Sequence, residues 1–210
     1  MGKAIEIELK ARPAGYEACR RRLEALAGGE KDFFKDDAYW FPAPSCGCSG
    51  VFRNREDLKL RIRREESGGE RSILVTRKVK EKRGEIEVND EREFSVSDGE
   101  VFEDLLTALG FEERIRKQKQ GWSWNIEGIT AELCEVSGFV LAERSPPPSA
   151  VNNLGWFLEL EILSAGGDPA EIGAARKRLL DLLEKAGIDQ DRIEERYYSA
   201  MLAERQPSYD

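Results

Sequence analysis

Two stretches near opposite ends of the chain alternate strictly between apolar and charged residues. In "AIEIELKA", residues 4–11, aliphatic side chains alternate with Glu6, Glu8 and Lys10. Successive side chains of a strand point to opposite faces, so this pattern predicts a β-strand with one apolar and one charged face. The simplest interpretation is an amphipathic strand with one wetted side. However, the charged face carries both signs in one row, and the rest of the sequence has to explain why.

The same construction recurs along the chain. In "WFLELEIL", Glu159 and Glu161 alternate with aliphatic residues, and in "LKLRIRR" the charged face is basic, with Lys59, Arg61 and Arg63. Residues two apart on a strand are roughly 6.7 Å apart on one side. The sequence therefore predicts acidic pairs and a basic row, each projecting in parallel from its own strand.

About eight such strands are accompanied by three or four helices. Helices are predicted over 12–29, from the N-cap Asp98 to Gly110, from Asp168 to Ala186, and from Asp189 onward with Ile193, Tyr197 and Met201 at helical spacing. Their apolar stripes need cover, and the apolar faces of the strands are the natural partner. We therefore predict an α+β fold: an eight-stranded antiparallel β-barrel with a charged interior and helices packed outside.

Composition excludes several classes of site and partner. Histidine is absent, and Cys19, Cys46, Cys48 and Cys134 lack the paired spacing of zinc knuckles, which argues against zinc sites and His-dependent triads or dyads. The net charge of −8 argues against a general nucleic-acid surface. No apolar run is long enough to span a membrane and no secretory signal is evident. We expect a cytoplasmic protein without membrane or nucleic-acid partners.

The chain is expected to form one domain over residues 1–205, followed by a short tail at 206–210. Stretches rich in Gly and Pro at 42–50 and 144–155 are predicted to be loops of unknown purpose. The first of them carries Cys46 and Cys48, which we interpret as incidental, and Cys19 is expected to fill apolar space.

A barrel with charges of both signs inside has an energetic problem. Unpaired buried charge costs several kcal/mol per ion, so the opposite charges must offset one another or a ligand must enter. A polyanion with a divalent metal meets that need, because Arg and Lys bind phosphate oxygens and carboxylates bind hard cations such as Mg²⁺. The mixed rows therefore predict a site for a phosphate chain and a metal ion.

The order of the motifs resembles the CYTH, or triphosphate tunnel metalloenzyme, superfamily. Glu6, Glu8 and Lys10 match its ExExK opening, and "DAYWF", "LRIR", "LVTRK", "DEREF", "IRKQK" and "LELEI" follow in the family's order, ending with "RYYSAML". The resemblance covers Lys3 to about Leu202. It implies an eight-stranded antiparallel tunnel in which basic residues bind a triphosphate and acidic residues bind one or two divalent cations.

Matching positions imply a role for each residue type in this resemblance. Triphosphate binding is implied for Lys10, Arg61, Arg63, Lys78, Lys117 and Lys119. Binding of Mg²⁺ or Mn²⁺ is implied for Glu6, Glu8, Glu159 and Glu161. Glu91 and Glu93 resemble acidic residues of the middle strand that assist the metal or orient water, and with Glu6, Glu8 and Lys10 they make up the expected catalytic set.

Two positions depart from the family pattern. Cys134 replaces a usual Asp, so that Glu132 or Glu135 would have to compensate, and Lys119 stands where Arg is common, which loses a bidentate fork. The number of metal ions and the path of the phosphates stay open for this reason. We interpret Trp122, Trp124, Trp156 and Tyr197 as packing residues, and Asp37 and Tyr39 as structural rather than catalytic.

Three functions compete. The leading hypothesis is metal-dependent hydrolysis of inorganic tripolyphosphate, thiamine triphosphate or a nucleoside triphosphate by a monomer or homodimer. The runner-up is a class IV adenylyl cyclase, a subgroup whose pattern includes a His-Phe pair; the lack of histidine favours hydrolysis. The third is a non-catalytic polyphosphate binder, against which the two acidic pairs argue, because a pure anion site gains little from carboxylates.

Overall fold

The structure, a computed structural model, describes residues 5–27, 29–43, 59–83, 86–141, 151–164 and 168–205, with the side chains in these ranges except at 78–83 and 86–91. The strands are β1 (Ile5–Ala11), β2 (Lys31–Pro42), β3 (Leu60–Ser67), β4 (Glu70–Arg83), β5 (Ile86–Ser95), β6 (Phe111–Ile126), β7 (Ile129–Val140) and β8 (Asn152–Ser164). The helices are α1 (Tyr16–Ala27), α2 (Gly99–Ala108), α3 (Pro169–Lys185) and α4 (Tyr198–Glu204). Cys46, Cys48 and the predicted tail lie outside the described residues.

The eight strands close into a barrel in the order β1-β5-β4-β3-β2-β6-β7-β8, and every pair is antiparallel. The predicted α+β barrel is thereby confirmed. The seam pairs β1 with β8, so that Glu8 lies opposite Glu161 and Lys10 opposite Glu159. The two stretches that alternate most regularly in the sequence are therefore neighbours in the sheet.

The apolar faces of the strands point outward, as predicted, and are covered by helices. Ile7 and Leu9 of β1 and Leu160 of β8 share a buried cluster with residues of α1 and α3, such as Leu23 and Leu179. A separate cluster joins β2, β3 and β4 to α2. Since side chains alternate between the two faces of a strand, the outward burial of these aliphatic residues places Glu6, Glu8 and Lys10 inside.

Helix positions follow their sequence signals. The side chains of Asp98 and Asp168 cap α2 and α3 by accepting hydrogen bonds from backbone N–H groups, and Pro169 occupies the first turn of α3. Cys19 is buried, as expected. No helix in the described part of the chain combines the length and apolar character needed to cross a membrane.

The predicted packing role of three tryptophans is confirmed. Trp124 is buried in the outer cluster, and Trp122 and Trp156 pack against it. Tyr16 stacks on Trp156 with ring centroids 4.1 Å apart, and Trp156 stacks on Trp122 at 5.6 Å. The guanidinium of Arg20 lies 3.8 Å from the Trp122 centroid and extends this stack. All four side chains lie outside the barrel.

The prediction of a continuous last helix beginning at Asp189 is wrong. Gln190–Arg192 form a single 3₁₀ turn, Ile193 makes an antiparallel bridge with Ala11, and α4 begins only at Tyr198. The bridge ties this segment to the end of β1. Backbone pairing with β1 therefore determines the structure of this segment, although its apolar spacing alone favoured a helix.

One part of the barrel interior is apolar. Met201 and Leu202 of α4 join Phe33, Cys134 and Phe157 in a buried cluster that we call the inner plug. Phe33, Cys134 and Phe157 alternate with outward-facing neighbours and thus belong to the inward faces of β2, β7 and β8. The helix α4 therefore packs against the inside of the sheet, unlike the helices α1, α2 and α3.

Candidate functional site

Three carboxylates converge inside the barrel across the seam. Glu6, Glu8 and Glu161 each place a carboxylate oxygen within 4.8 Å of the other two. They converge because Glu6 and Glu8 are two apart on β1, while Glu161 lies directly opposite Glu8 on β8. Three hard oxygen donors at this spacing fit a divalent cation such as Mg²⁺ or Mn²⁺. These residues are three of the four metal ligands implied by the sequence.

Glu159, the fourth implied ligand, has a different partner. Its carboxylate forms a close ion pair with the ammonium of Lys119 on β6. Burial opposes ionisation of Glu159, but the charges of Lys119 and Lys117 prevail and lower its pKa to about 2. Glu159 also lies next to the acidic group, because it is two residues before Glu161 on the same face of β8, and the carboxylate of Glu8 acts to raise its pKa. Glu159 thus stands between the acidic and the basic parts of the interior.

A buried group of ion pairs surrounds Asp37 of β2. Arg63 donates two hydrogen bonds to its carboxylate, from Nε at 2.6 Å and from Nη2 at 3.0 Å, and Nζ of Lys117 lies 3.1 Å away. Both are cross-strand neighbours of Asp37, on β3 and β6 respectively. Burial opposes ionisation, but Arg63 and Lys117 hold the pKa of the Asp37 carboxyl well below its usual range. The carboxylate is therefore a fixed counter-charge.

Tyr39 belongs to the same group. The ammonium of Lys117 donates a hydrogen bond to its hydroxyl oxygen at 3.2 Å. Burial opposes ionisation of the phenol and is the largest single influence, but the charges of Lys117, Arg61 and Arg63 together lower the pKa of Tyr39. Asp37 and Tyr39 were interpreted from the sequence as structural. The structure places both inside the barrel, in contact with residues of the implied phosphate site.

Arg61 forms the other basic part of the interior. Its Nη2 donates to Thr76 Oγ1 at 3.0 Å and lies 3.5 Å from Glu93 Oε2. The hydroxyl of Thr76 in turn donates to Glu93 at 2.7 Å. Arg61 and Glu93, both implied by the resemblance, are thus brought together through Thr76. The implied residues Lys78 and Glu91 are paired in the backbone ladder, but their side chains lie outside the described part of the structure.

The structure separates the two acidic candidates that could compensate for Cys134. Glu132 faces inward and forms a close ion pair with Lys35, whereas Glu135 is exposed and accepts a hydrogen bond from Asn153. Cys134 is fully buried, and burial raises the pKa of its thiol. Only Glu132 of the two is therefore placed to act inside the barrel, and the Cys134 thiol stays protonated.

Sequence reasoning missed Lys35 and Tyr198 as interior residues. Lys35 carried a signal that could have been used, because it lies two residues before Asp37 on the same face of β2. Tyr198 lies in the motif "RYYSAML", where spacing alone does not reveal which of the two tyrosines turns inward. Tyr197 precedes α4 as its N-cap residue.

Comparisons with known proteins agree with this geometry. A family model described as CYTH domain matches residues 4–198. The PH1819 protein of Pyrococcus horikoshii OT3 has a similar structure, with a TM-score of 0.69 and 23% identity over 96% of this chain and 99% of that one. A comparison with curated proteins found no match.

Two further structures carry a description of activity. A Vibrio parahaemolyticus protein proposed to be an adenylate cyclase has a TM-score of 0.63 at 15% identity, over 97% of this chain and 99% of its own. HpAC1 of Hippeastrum, a proposed adenylyl cyclase described as having a dominant triphosphatase activity, has a TM-score of 0.54 at 13% identity, over 97% of each chain. At these identities, likeness to the solved structures shows the fold alone.

Proposed function

Because this chain belongs to the CYTH domain family, whose members act on triphosphates with divalent metals, we propose that it is a metal-dependent phosphohydrolase that cleaves a triphosphate inside its barrel. The observation that carries the proposal is the placement of Glu6, Glu8 and Glu161 within 4.8 Å of one another, in a barrel whose remaining interior is rich in Lys and Arg. A site for anions alone would gain nothing from three converging carboxylates.

The basic residues bind and orient the phosphate chain. Lys10, Arg61, Lys117 and Lys119 are all largely buried, at 6 to 9% exposed. Charge-assisted hydrogen bonds to phosphate are stronger in such surroundings than in water. Arg63 takes part through the donors that Asp37 does not occupy, since a guanidinium has five N–H groups. Together these side chains offset the charge that repels a nucleophile from phosphorus.

The acidic residues hold the cation and orient water. Glu6, Glu8 and Glu161 would hold Mg²⁺ or Mn²⁺, and the bound ion would neutralise charge on the phosphate oxygens. Because the chain has no histidine, a carboxylate accepts the proton of the attacking water. Glu93 is partly exposed and fixed by Thr76 at 2.7 Å, which suits it to orient a water molecule.

Hydrolysis is favoured over cyclisation. The chain has no histidine for the His-Phe pair of the cyclase subgroup, which supports hydrolysis, and HpAC1, a protein of the same fold, is described as having a dominant triphosphatase activity. The second candidate is formation of cyclic AMP and pyrophosphate from ATP, the activity proposed for the Vibrio protein of the same fold. Both reactions would use the same interior charges and differ in the nucleophile and in the phosphorus atom that is attacked.

A substrate screen tests the proposal. The purified protein is incubated with tripolyphosphate, thiamine triphosphate or ATP, each with Mg²⁺ or Mn²⁺. We expect release of orthophosphate. Production of cyclic AMP with pyrophosphate would instead support the cyclase, and intact substrate that binds measurably would support a non-catalytic binder.

Two matched variants connect the activity to the site. Glu161→Gln should abolish turnover, because it removes one charge from the converging carboxylates, while circular dichroism and Tm stay close to wild type. Glu135→Gln makes the same change on the outside of the barrel and should leave turnover unchanged. Equal activity of the two variants would contradict the assignment of Glu161.

A further inference from the structure

Tyr198 is the side chain through which α4 meets the basic residues of the interior. Its ring centroid lies 5.5 Å from the ammonium of Lys10, 5.3 Å from that of Lys117 and 5.7 Å from that of Lys119. These lysines come from β1 and β6, on opposite sides of β8 and β7 in the barrel order. One aromatic ring therefore contacts three cations from two separate strands.

Three ammonium groups around one point repel one another. Lys119 is paired with Glu159, and Lys117 with Asp37, which offsets part of this repulsion but also pulls the two ammonium groups towards different carboxylates. An aromatic face carries negative electrostatic potential and attracts cations within about 6 Å of its centroid. The ring of Tyr198 thus supplies an attractive surface common to all three ammonium groups.

The ring is held firmly in this position. Phe157 meets Tyr198 edge to face, with centroids 4.9 Å apart and an interplanar angle of 90°. Met201 and Leu202, one turn further along α4, are buried in the inner plug. Burial and the nearby carboxylate of Glu159 raise the pKa of the Tyr198 phenol well above its ordinary value, so the ring stays neutral. Position and charge state are both fixed before any ligand enters.

We propose that Tyr198 is a positioning residue for triphosphate binding, whose ring gathers the ammonium groups of Lys10, Lys117 and Lys119 into one cluster. The inference rests on the proposed function only in assuming that these lysines bind phosphate. The aromatic face acts through the lysines and does not touch the reacting atoms. Its contribution lies in preorganisation, because lysine side chains that are already gathered lose less freedom when the anion binds.

Binding of tripolyphosphate tests the role of the ring. Isothermal titration calorimetry in the presence of EDTA measures affinity without turnover, for the wild type, Tyr198→Phe and Tyr198→Leu. The phenylalanine variant keeps the aromatic face and should bind within about twofold of wild type. The leucine variant loses the face and should bind roughly tenfold more weakly, as expected for two or three ordinary cation–π contacts. Tyr198→Met repeats the test with a flexible apolar chain if the leucine variant unfolds.

Met201→Ala distinguishes a contribution of the Tyr198 ring from a contribution of the helix α4 that carries it. This change loosens α4 in the inner plug without altering a residue that contacts the lysines through an aromatic ring. We expect a lower Tm but an affinity near that of wild type. Equal weakening by Met201→Ala and Tyr198→Leu would overturn the proposal, as would wild-type affinity of the leucine variant or equal loss in the phenylalanine variant.

The binding test of Tyr198 does not depend on whether the protein is catalytically active. If the wild type binds tripolyphosphate but no substrate is hydrolysed with Mg²⁺ or Mn²⁺, the proposed function fails while the role of Tyr198 is still decided by the affinities. If the wild type does not bind tripolyphosphate, the role of Tyr198 fails as well.

Discussion

Asp37→Asn removes one negative charge from the most buried ion-pair group of the barrel. The carboxylate of Asp37 has no exposed surface, and its partners are similarly enclosed: the side chains of Arg63 and Lys117 are 12% and 9% exposed. The substitution keeps the shape of the side chain. It leaves the largely buried cations of Arg63 and Lys117 without the counter-charge of Asp37.

The expected destabilisation is large. Removing one partner of a buried ion pair costs about 3 to 5 kcal/mol, because the remaining charge stays buried without compensation. For a protein of this size, about 3 kcal/mol corresponds to a fall in Tm of roughly 6 to 12 °C.

Asp36→Asn is the matched control, one residue along the same strand. Asp36 faces outward and pairs with Arg116, whose side chain is 33% exposed. Arg116 can regain contact with water when the charge of its partner is lost, so the cost should be about 1 kcal/mol. Thermal unfolding of both variants at pH 7, followed by circular dichroism, measures the difference.

The ligand provides a second measurement. Tripolyphosphate can replace the missing negative charge beside Arg63 and Lys117, and a ligand that binds only the folded state stabilises it. It should therefore raise the Tm of Asp37→Asn more than that of the wild type. Equal Tm values for the Asp36 and Asp37 variants would refute the reasoning about buried charge. Equal ligand shifts in wild type and Asp37→Asn would refute the placement of the phosphates beside Asp37.

Three further changes test other parts of the structure. Arg61→Ala should weaken binding of tripolyphosphate by about tenfold or more, measured by calorimetry, whereas Arg71→Ala, at a side chain that is 81% exposed, should not change it. The pKa of Glu159 is lowered to about 2 in the folded protein, so its charge stabilises the fold fully above the ordinary glutamate pKa. This stabilisation is lost as the pH falls from about 4.3 towards 2. Acid unfolding of Glu159→Gln should lack this part of the pH dependence, and identical acid transitions of variant and wild type would contradict the pairing with Lys119. Gly121→Ala should disrupt the pairing of β6 with β7, since a Cβ there would lie 2.0 Å from the carbonyl oxygen of Leu133. Gly173→Ala in α3, with open space around it, should instead raise the free energy of unfolding by about 0.5 to 1 kcal/mol. Urea unfolding of both variants measures these opposite changes in stability.

The regular alternation of the strands made the barrel predictable. In β1 and β8 the charged and apolar positions are unambiguous, and helices with apolar stripes needed the apolar faces, so charges had to point inward. Glu6, Glu8 and Glu161 could be placed inside the barrel on this basis. Alternation gives the face of a side chain but not its partner across the strands. Whether Glu159 would lie nearer to the acidic group or to Lys119 depended on the register of β6, β7 and β8, which the sequence does not state.

The same limit explains two features that the sequence did not reveal, namely the position of Asp37 inside the barrel and the late start of α4. Asp37 lies in a strand that also carries Asp36 next to it, and without the register either one could have faced inward. The last helix was misplaced because the spacing of Ile193, Tyr197 and Met201 is compatible with a helix, whereas the backbone bridge between Ile193 and Ala11 depends on residues far away in the chain. Tertiary pairing thus outweighed local periodicity.

The seam of the barrel has a consequence for how the chain folds. The first strand, β1, has β5 and β8 as its neighbours, not the β2 that follows it, and its Ile5 pairs with Ser164. Topologies dominated by contacts between distant parts of the chain fold slowly, because the entropy of loop closure is lost before those contacts form. During synthesis on the ribosome, β1 would leave the exit tunnel long before β8 does, with Ile7 and Leu9 still uncovered. Closure of the seam should therefore be the late, rate-limiting step of folding, and nascent chains that end before Asn152 should need protection by chaperones.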